Sequence, residues 1–135
     1  GHVFDFVKQL KKNKDLLFVL GDGNQKKSYL DINDCIEGIF KGMKYFDKKI
    51  NIINLGTNKY INVKKSIKNI CEILKLKPKV IYRGGKRGWI GDNPFILLDT
   101  KKIRSIGWKP KYTIEESVKV TTKYLIKNQW LLKKS

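Results

Sequence analysis

Two glycine-punctuated stretches, far apart in the chain, hold the side chains best suited to grip an anion. The first is Gly21-Asp-Gly-Asn-Gln-Lys-Lys-Ser-Tyr-Leu-Asp31. Its tight turn runs into an extended segment in which Lys27 and Tyr29, one residue apart, project from one face. A cation and a phenol aimed together can hold a phosphate and a ribose. As plain structure, the lysine is one of many and Tyr29 is a core aromatic. The second stretch is Arg83-Gly-Gly-Lys-Arg-Gly-Trp-Ile-Gly-Asp-Asn-Pro94. Its glycines let backbone approach a ligand or take positive φ. It also holds Arg83 and Arg87, two of only three arginines in the chain. A guanidinium fork is the better bidentate partner for phosphate oxygens. Asp92 can accept from sugar hydroxyls, and Trp89 either stacks on a ligand or plugs the loop. The competing reading is a solvated glycine-rich connection. The concentration of scarce arginines favours the ligand loop.

Other chemistry is thin. Three Tyr-x-x-x-Lys pairs occur, Tyr45/Lys49, Tyr60/Lys64 and Tyr82/Lys86. In such a pair the lysine can lower a phenol pKa to make a tyrosinate base. Chance alone supplies about one such match in a chain this rich in lysine, and each tyrosine has a local structural explanation. No GxGxxG or GxxGxxG follows an N-terminal strand, so a dinucleotide-binding fingerprint is absent. The single histidine, His2, cannot anchor a metal site or a histidine-based triad. Cys35 and Cys71 form neither a metal spacing nor a disulfide framework, so a reducing cytoplasm is the default expectation.

The elements that must position these groups alternate helix and strand. Val3, Phe6, Val7 and Leu10 predict a helix over 3–12, and 17–20 a buried strand. An extended piece over 27–32 follows, then a helix capped by Asn33 or Asp34 with the apolar stripe Ile36, Ile39, Phe40 and Met43. Residues 50–55 read as the clearest strand. Asn62 caps a helix carrying Val63, Ile67, Ile70, Cys71 and Leu74. A strand over 79–83, a loop over 84–95 and a short helix near 100–106 come next. Thr113-Ile-Glu-Glu116 is a capping box. It opens a last helix with Ile114, Val118, Thr121, Tyr124 and Leu125 facing inward. This is an α/β chain with at most four short strands, and helix-length connections favour parallel neighbours. A missing partner could complete so small a sheet.

With 135 residues the chain suits a single domain, 1–135. An apolar fraction of 41% excludes wholesale disorder, and no apolar run reaches the ~20 residues that cross a bilayer. The net charge is +18, but 27 of the 30 basic residues are lysine, spread along the chain. Nucleic-acid readout favours arginine, so a basic RNA- or DNA-binding module is the rival reading, and a general preference for anions the safer one.

Five blocks in order carry a resemblance. They are Gly-Asp-Gly-x-Gln-x-Lys-x-Tyr-Leu-x-Ile-x-Asp (21–34), Ile-Asn-Leu-Gly (53–56), Arg-Gly-Trp-Ile-Gly-Asp-Asn-Pro (87–94), Leu-Asp-Thr-Lys-Lys-Ile (98–103) and Ile-Gly-Trp-Lys-Pro (106–110). Together they resemble the C-terminal portion of the NAD-dependent epimerase/dehydratase family, the extended short-chain dehydrogenases/reductases. The UDP-glucose 4-epimerase branch is nearest by appearance, and the likeness runs from about residue 3 to 127.

The resemblance implies a substrate-binding lobe with part of the Rossmann sheet, the strand like 50–55 joining that sheet. NAD would be bound by an N-terminal lobe that this chain lacks. The ligand would be a UDP-sugar or another NDP-sugar, oxidised transiently in epimerases and dehydratases alike. Phe18 to Leu20 would meet the nucleotide base through backbone. Lys27 would contact the diphosphate, with Tyr29 beside the nucleotide, and Arg87 and Asp92 would clamp diphosphate and ribose. Two departures stand out: lysine at 27 lacks the family's fork, and Ser28 stands where an acid is usual. The glycine fingerprint and the catalytic tyrosine–lysine pair would lie before residue 1. We therefore expect a fragment that does not turn over by itself, with no catalytic residue among its 135.

Overall fold

A computed structural model of the chain describes residues 1–85, 88, 91 and 95–133. In chain order its elements are α1 (His2–Lys12), β1 (Leu16–Val19), β2 (Lys26–Lys27), α2 (Ile32–Tyr45), β3 (Ile61–Asn62), α3 (Val63–Leu74), β4 (Lys79–Tyr82), α4 (Lys101–Ser105) and α5 (Ile114–Lys127), followed by a 3-10 turn (Gln129–Lys133). The expected alternation of helix and strand is present, but the strands form two separate pairs. β1 and β4 are parallel, with Leu17 opposite Val80 and Val19 opposite Tyr82. β2 and β3 are antiparallel, with Lys27 opposite Ile61.

Strand alternation decides which side chains of β1 reach the core. Leu17 and Val19 are fully buried, whereas Phe18 and Leu20 turn outward. Phe6, Val7 and Leu10 of α1 pack on them, with Ile67 and Ile70 of α3 and Ile114, Val118 and Leu125 of α5. The local start signals hold where the side chain is free to bend back on its own helix. Asn62 Oδ1 accepts from Lys65 N–H at 2.8 Å. The capping box forms in both directions: Thr113 Oγ1 accepts from Glu116 N–H at 3.2 Å, and Glu116 Oε2 accepts from Thr113 N–H at 2.8 Å.

Elsewhere the structure corrects the sequence expectation. α2 is capped by Asp31, whose Oδ1 accepts from Asn33 N–H at 2.9 Å. Asp34 is instead buried and accepts from Tyr112 N–H at 3.0 Å, tying α2 to the segment before α5. On α5 Ile114, Val118 and Leu125 face inward as expected, joined by Ser117 and Thr122, while Thr121 and Tyr124 are exposed. Thr122 stays buried because its hydroxyl donates to the Val118 carbonyl at 2.7 Å.

The largest correction concerns α2 and residues 50–55. That segment is not a strand. Its polar groups go to side chains: Lys102 Nζ donates to Ile52 C=O at 2.9 Å, and Asn54 Nδ2 to Asp99 C=O at 3.1 Å. Ile50 and Ile52 are about four-fifths exposed, at 78% and 80%. The α2 stripe is exposed too, Phe40 at 66% and Met43 at 72%. The helix packs through its glycines. A Cβ at Gly38 would stand 2.8 Å from Leu55 Cδ2 and 3.0 Å from the Trp108 ring. α2 therefore lies close on 53–55 and Trp108, and its apolar stripe is largely exposed, with Ile39 and Met43 rimming a shallow cleft shared with Asn51, Ile53 and Leu55.

That orientation has a measurable consequence. Phe40→Lys should leave the thermal midpoint within about 2 °C, as surface substitutions do, whereas loss of a core phenylalanine costs about 3–5 kcal/mol. Binding of a hydrophobic dye should fall in parallel. A large drop in melting temperature would place the stripe in the core.

Candidate functional site

β1 and β4 end together, and both chains leave the ladder through glycine. Gly21 and Gly84 pair as an isolated bridge, with Gly84 N–H donating to Gly21 C=O at 3.2 Å. Both take left-handed backbone, φ +80° and +78°, which favours glycine at each position. The two stretches singled out in the sequence thus start side by side.

Beside this junction lies a cleft of about 620 Å³. Phe18, Leu20, Lys27 and Tyr29 all line it, as does Gly88 from the second loop. Arg87 and Asp92 lie outside the described residues, as do Lys86 and Trp89. Phe6 and Val63 give the cleft an apolar floor. Phe18 and Leu20 arrive there because alternation along β1 points them away from the core.

The outer edge of β1 is already engaged. Val19 C=O accepts from Arg83 N–H on the β4 side. The Phe18 peptide faces the other way, onto the carboxamide of Gln9: Phe18 N–H donates to Oε1 at 3.1 Å and Gln9 Nε2 to Phe18 C=O at 3.2 Å. Gln25 Nε2 donates to Leu20 C=O at 3.0 Å. A carbonyl oxygen has two lone pairs, so Phe18 C=O and Leu20 C=O can each accept a second donor from a ligand. Gln25 Oε1 and His2 Nε2 are buried without a hydrogen-bond partner, and both residues line the cleft. Unpartnered buried polar atoms are rare enough to mark a place where a further group belongs.

His2, Gln9 and Gln25 were not found by sequence reasoning. Gln25 sits within the first resemblance block. For Gln9 no sequence signal exists, since its partner is a backbone amide. The single histidine has a place after all, as its ring stacks on Tyr29 with centroids 4.9 Å apart at 19°, and meets Phe6 edge-on at 5.7 Å. The stack is shared with a neighbouring cleft of about 440 Å³ walled by Phe4, Ile32 and Val118. Burial of the ring lowers its pKa to about 4, the N-terminal ammonium and Lys27 adding to the fall while Asp5 opposes it.

Catalytic chemistry does not emerge from the tyrosine–lysine pairs. Tyr82 lies against Lys64, whose Nζ is 5.4 Å from the ring centroid. Burial pushes its phenol pKa up, and Cys71 adds to the rise, the opposite of what a tyrosinate base needs. Tyr60 packs edge-on against Phe95 at 5.2 Å, with Lys26 over its ring at 4.6 Å. No group of three or more His, Cys, Asp or Glu among the described residues is placed to hold a metal ion. No helix among them is long and apolar enough to cross a membrane. β1 and β4 both run into glycines, and among the described residues neither exit leads directly into a helix N-terminus that could receive a pyrophosphate.

The chain resembles known proteins in sequence and in fold. No family model matches the chain. A UDP-glucuronate 4-epimerase of Thermodesulfobacterium geofontis is 29% identical over 136 residues, covering 97% of this chain and 39% of the relative. A dTDP-D-glucose 4,6-dehydratase of Mus musculus is 26% identical over 127 residues, covering 91% and 35%. Among solved structures, a UDP-galactose 4-epimerase superposes with a TM-score of 0.79 at 29% identity over 96% of this chain and 41% of the other. The Thermotoga maritima UDP-glucose 4-epimerase, solved with UDP-glucose, gives a TM-score of 0.79 at 25% identity over 96% and 40%. The chain spans 40% or less of the length of the curated relatives it matches.

The only histidine provides a direct test of the cleft. Its ring resonances should titrate near pH 4 by NMR. Because the folded-state value lies below the ordinary 6.5, the unfolded chain binds the extra proton first. The stability contribution is therefore complete above about pH 6.5 and is lost as pH falls towards 4. Titration at the ordinary value would show that the stack on Tyr29 does not form.

Proposed function

The chain is distantly homologous to the NAD-dependent epimerase/dehydratase family over about 40% of the length of those proteins, and from that premise we propose that it is the nucleotide-sugar-gripping portion of a sugar 4-epimerase. The carrying observation is the convergence of Phe18, Leu20, Lys27 and Tyr29 on one cleft beside the Gly21–Gly84 junction. Apolar walls take the base, the free lone pairs of Phe18 and Leu20 carbonyls meet its donors, and Lys27 neutralises diphosphate. Arg87 and Asp92 extend the grip to the second phosphate and the ribose. UDP-sugars are the preferred class, because two superposing structures at 25% identity or more carry UDP-hexose epimerase names.

In this reading the chain binds and orients but does not catalyse. Family members bind NAD, and the dinucleotide belongs to an N-terminal lobe supplied by polypeptide beyond these 135 residues. It would provide the hydride chemistry when that lobe is bound. The exposed stripe of α2 and the non-strand segment 50–55 are the surface on which such a lobe docks, burying Phe40, Met43, Ile50 and Ile52 and completing the sheet.

Calorimetry with UDP-glucose tests the proposal. Charge-assisted bonds to a diphosphate contribute about 1.5–3 kcal/mol each, so two of them with base burial give a dissociation constant on the order of micromolar to tens of micromolar. Binding should persist in excess polyanion. No heat at millimolar UDP-glucose, or a steep salt slope with equal preference for RNA, would replace the nucleotide-sugar site with a basic nucleic-acid surface.

A further inference from the structure

The described arginines are not equivalent. Arg104 is committed, its Nε donating to Thr100 Oγ1 at 2.8 Å. Arg83 is held at both ends but leaves its hydrogen-bonding groups unspent. Its backbone N–H donates to Val19 C=O at 2.9 Å, closing the β1–β4 ladder. Its guanidinium lies over the Phe18 ring at 5.5 Å from the centroid, and Phe18 is 40% exposed and lines the cleft. The ion pairs among the described residues join Gly1 to Asp5, Lys111 to Glu37 and Lys119 to Glu72, so Arg83 has no carboxylate partner among them.

A guanidinium parked on an aromatic face is restricted in orientation while its N–H donors, which lie in the plane of the guanidinium itself, stay available at its edge. Two features therefore meet. Among the described residues lining the cleft, the side-chain cation offered to a diphosphate is the ammonium of Lys27, a point charge without a fork. A guanidinium beside it adds the bidentate geometry that Lys27 lacks. Against the Phe18 ring, one of the residues lining that cleft, lies a fork without a carboxylate partner among the described residues.

We infer that Arg83 is a further bidentate diphosphate contact of the cleft, beside the role proposed for Arg87 and working with Lys27 across the ligand, and that the Phe18 ring is the platform that restrains its fork. The inference rests on the nucleotide-diphosphate reading of the cleft and adds a residue that the resemblance does not assign. The base and the phosphates are then read from one short piece of β1 and β4: Phe18 presents its carbonyl to the base and its ring to the arginine that holds the diphosphate.

NMR titration of the full chain with UDP and with uridine separates the possibilities, because it reads millimolar as well as micromolar constants. Arg83→Gln should weaken UDP about tenfold and leave uridine unchanged, and Arg83→Lys should fall between, since it keeps the charge and loses the fork. Arg104→Gln serves as the control for net charge and should match the native chain. Unchanged UDP affinity in Arg83→Gln overturns the inference. Equal loss for UDP and uridine also overturns it, because Arg83 then acts only by latching Phe18. Failure of the native chain to bind UDP removes the cleft reading itself, and this inference with it, before any variant is compared.

Discussion

The parallel pairing of β1 with β4 is the constraint from which the rest of the molecule follows. Parallel strands run in the same direction, so their C-terminal ends lie together, and whatever each chain does next happens in the same place. Here both chains turn out through glycine, at Gly21 and Gly84, which still touch through one backbone hydrogen bond. The residues between them, from the Gly21 turn through α2, α3 and β3, are a long excursion that returns to this point. A cleft assembled at the ends of two parallel strands inherits its geometry from their ladder, the most rigid element available. It takes its chemistry from the loops, which can change without disturbing the core.

The same ladder explains a division of labour along β1. Alternation sends Leu17 and Val19 into the core with α1, α3 and α5, and gives Phe18 and Leu20 to the cleft. A two-stranded sheet also leaves one edge of β1 without a strand. Gln9 and Gln25 cover that edge with carboxamides in place of a third strand. A side-chain amide satisfies the backbone group it touches but leaves a lone pair on the carbonyl. The edge is protected against strand addition yet still open to a small ligand.

How far this could be read in the sequence depended on whether a feature was local. Caps and helix periods are local, and the Thr113–Glu116 box and the Asn62 cap form as written. Spacing placed Lys27 and Tyr29 together, and the resemblance added Phe18 and Leu20. The strand expected over 50–55 and the role of the α2 stripe are not local properties. Alternating apolar residues say that a segment is suited to burial, and only a neighbour makes it a strand or a core face. With no partner strand among the described residues, the Ile52 carbonyl turns to Lys102 and the stripe stays largely in solvent. The helix cap moved from Asn33 or Asp34 to Asp31 for a similar reason, because Asp34 had a distant backbone partner at Tyr112 that no local rule could reveal. Gln9 and His2 were invisible for the converse reason: single polar residues in a helix carry no pattern, and their partners are nine and twenty-seven positions away.

The two surfaces left unfinished by this chain are unfinished in different ways. The α2 face is apolar and costs solvation free energy wherever it is exposed. A buried phenylalanine, methionine or isoleucine is worth about 1.5–3 kcal/mol, so a partner that covers several of them has a large and non-directional driving force. The cleft is small and mixed. Its driving force lies in a few directional contacts: the orphaned Gln25 Oε1 and His2 Nε2, the half-used carbonyls of β1 and the cation at Lys27. An apolar face tolerates any occupant of matching shape, whereas a cleft with fixed donors and acceptors selects by chemistry. The net charge of +18 favours anions everywhere on the surface, and among the described residues the cleft at the ends of β1 and β4 gives that attraction a geometry, which the apolar stripe of α2 does not.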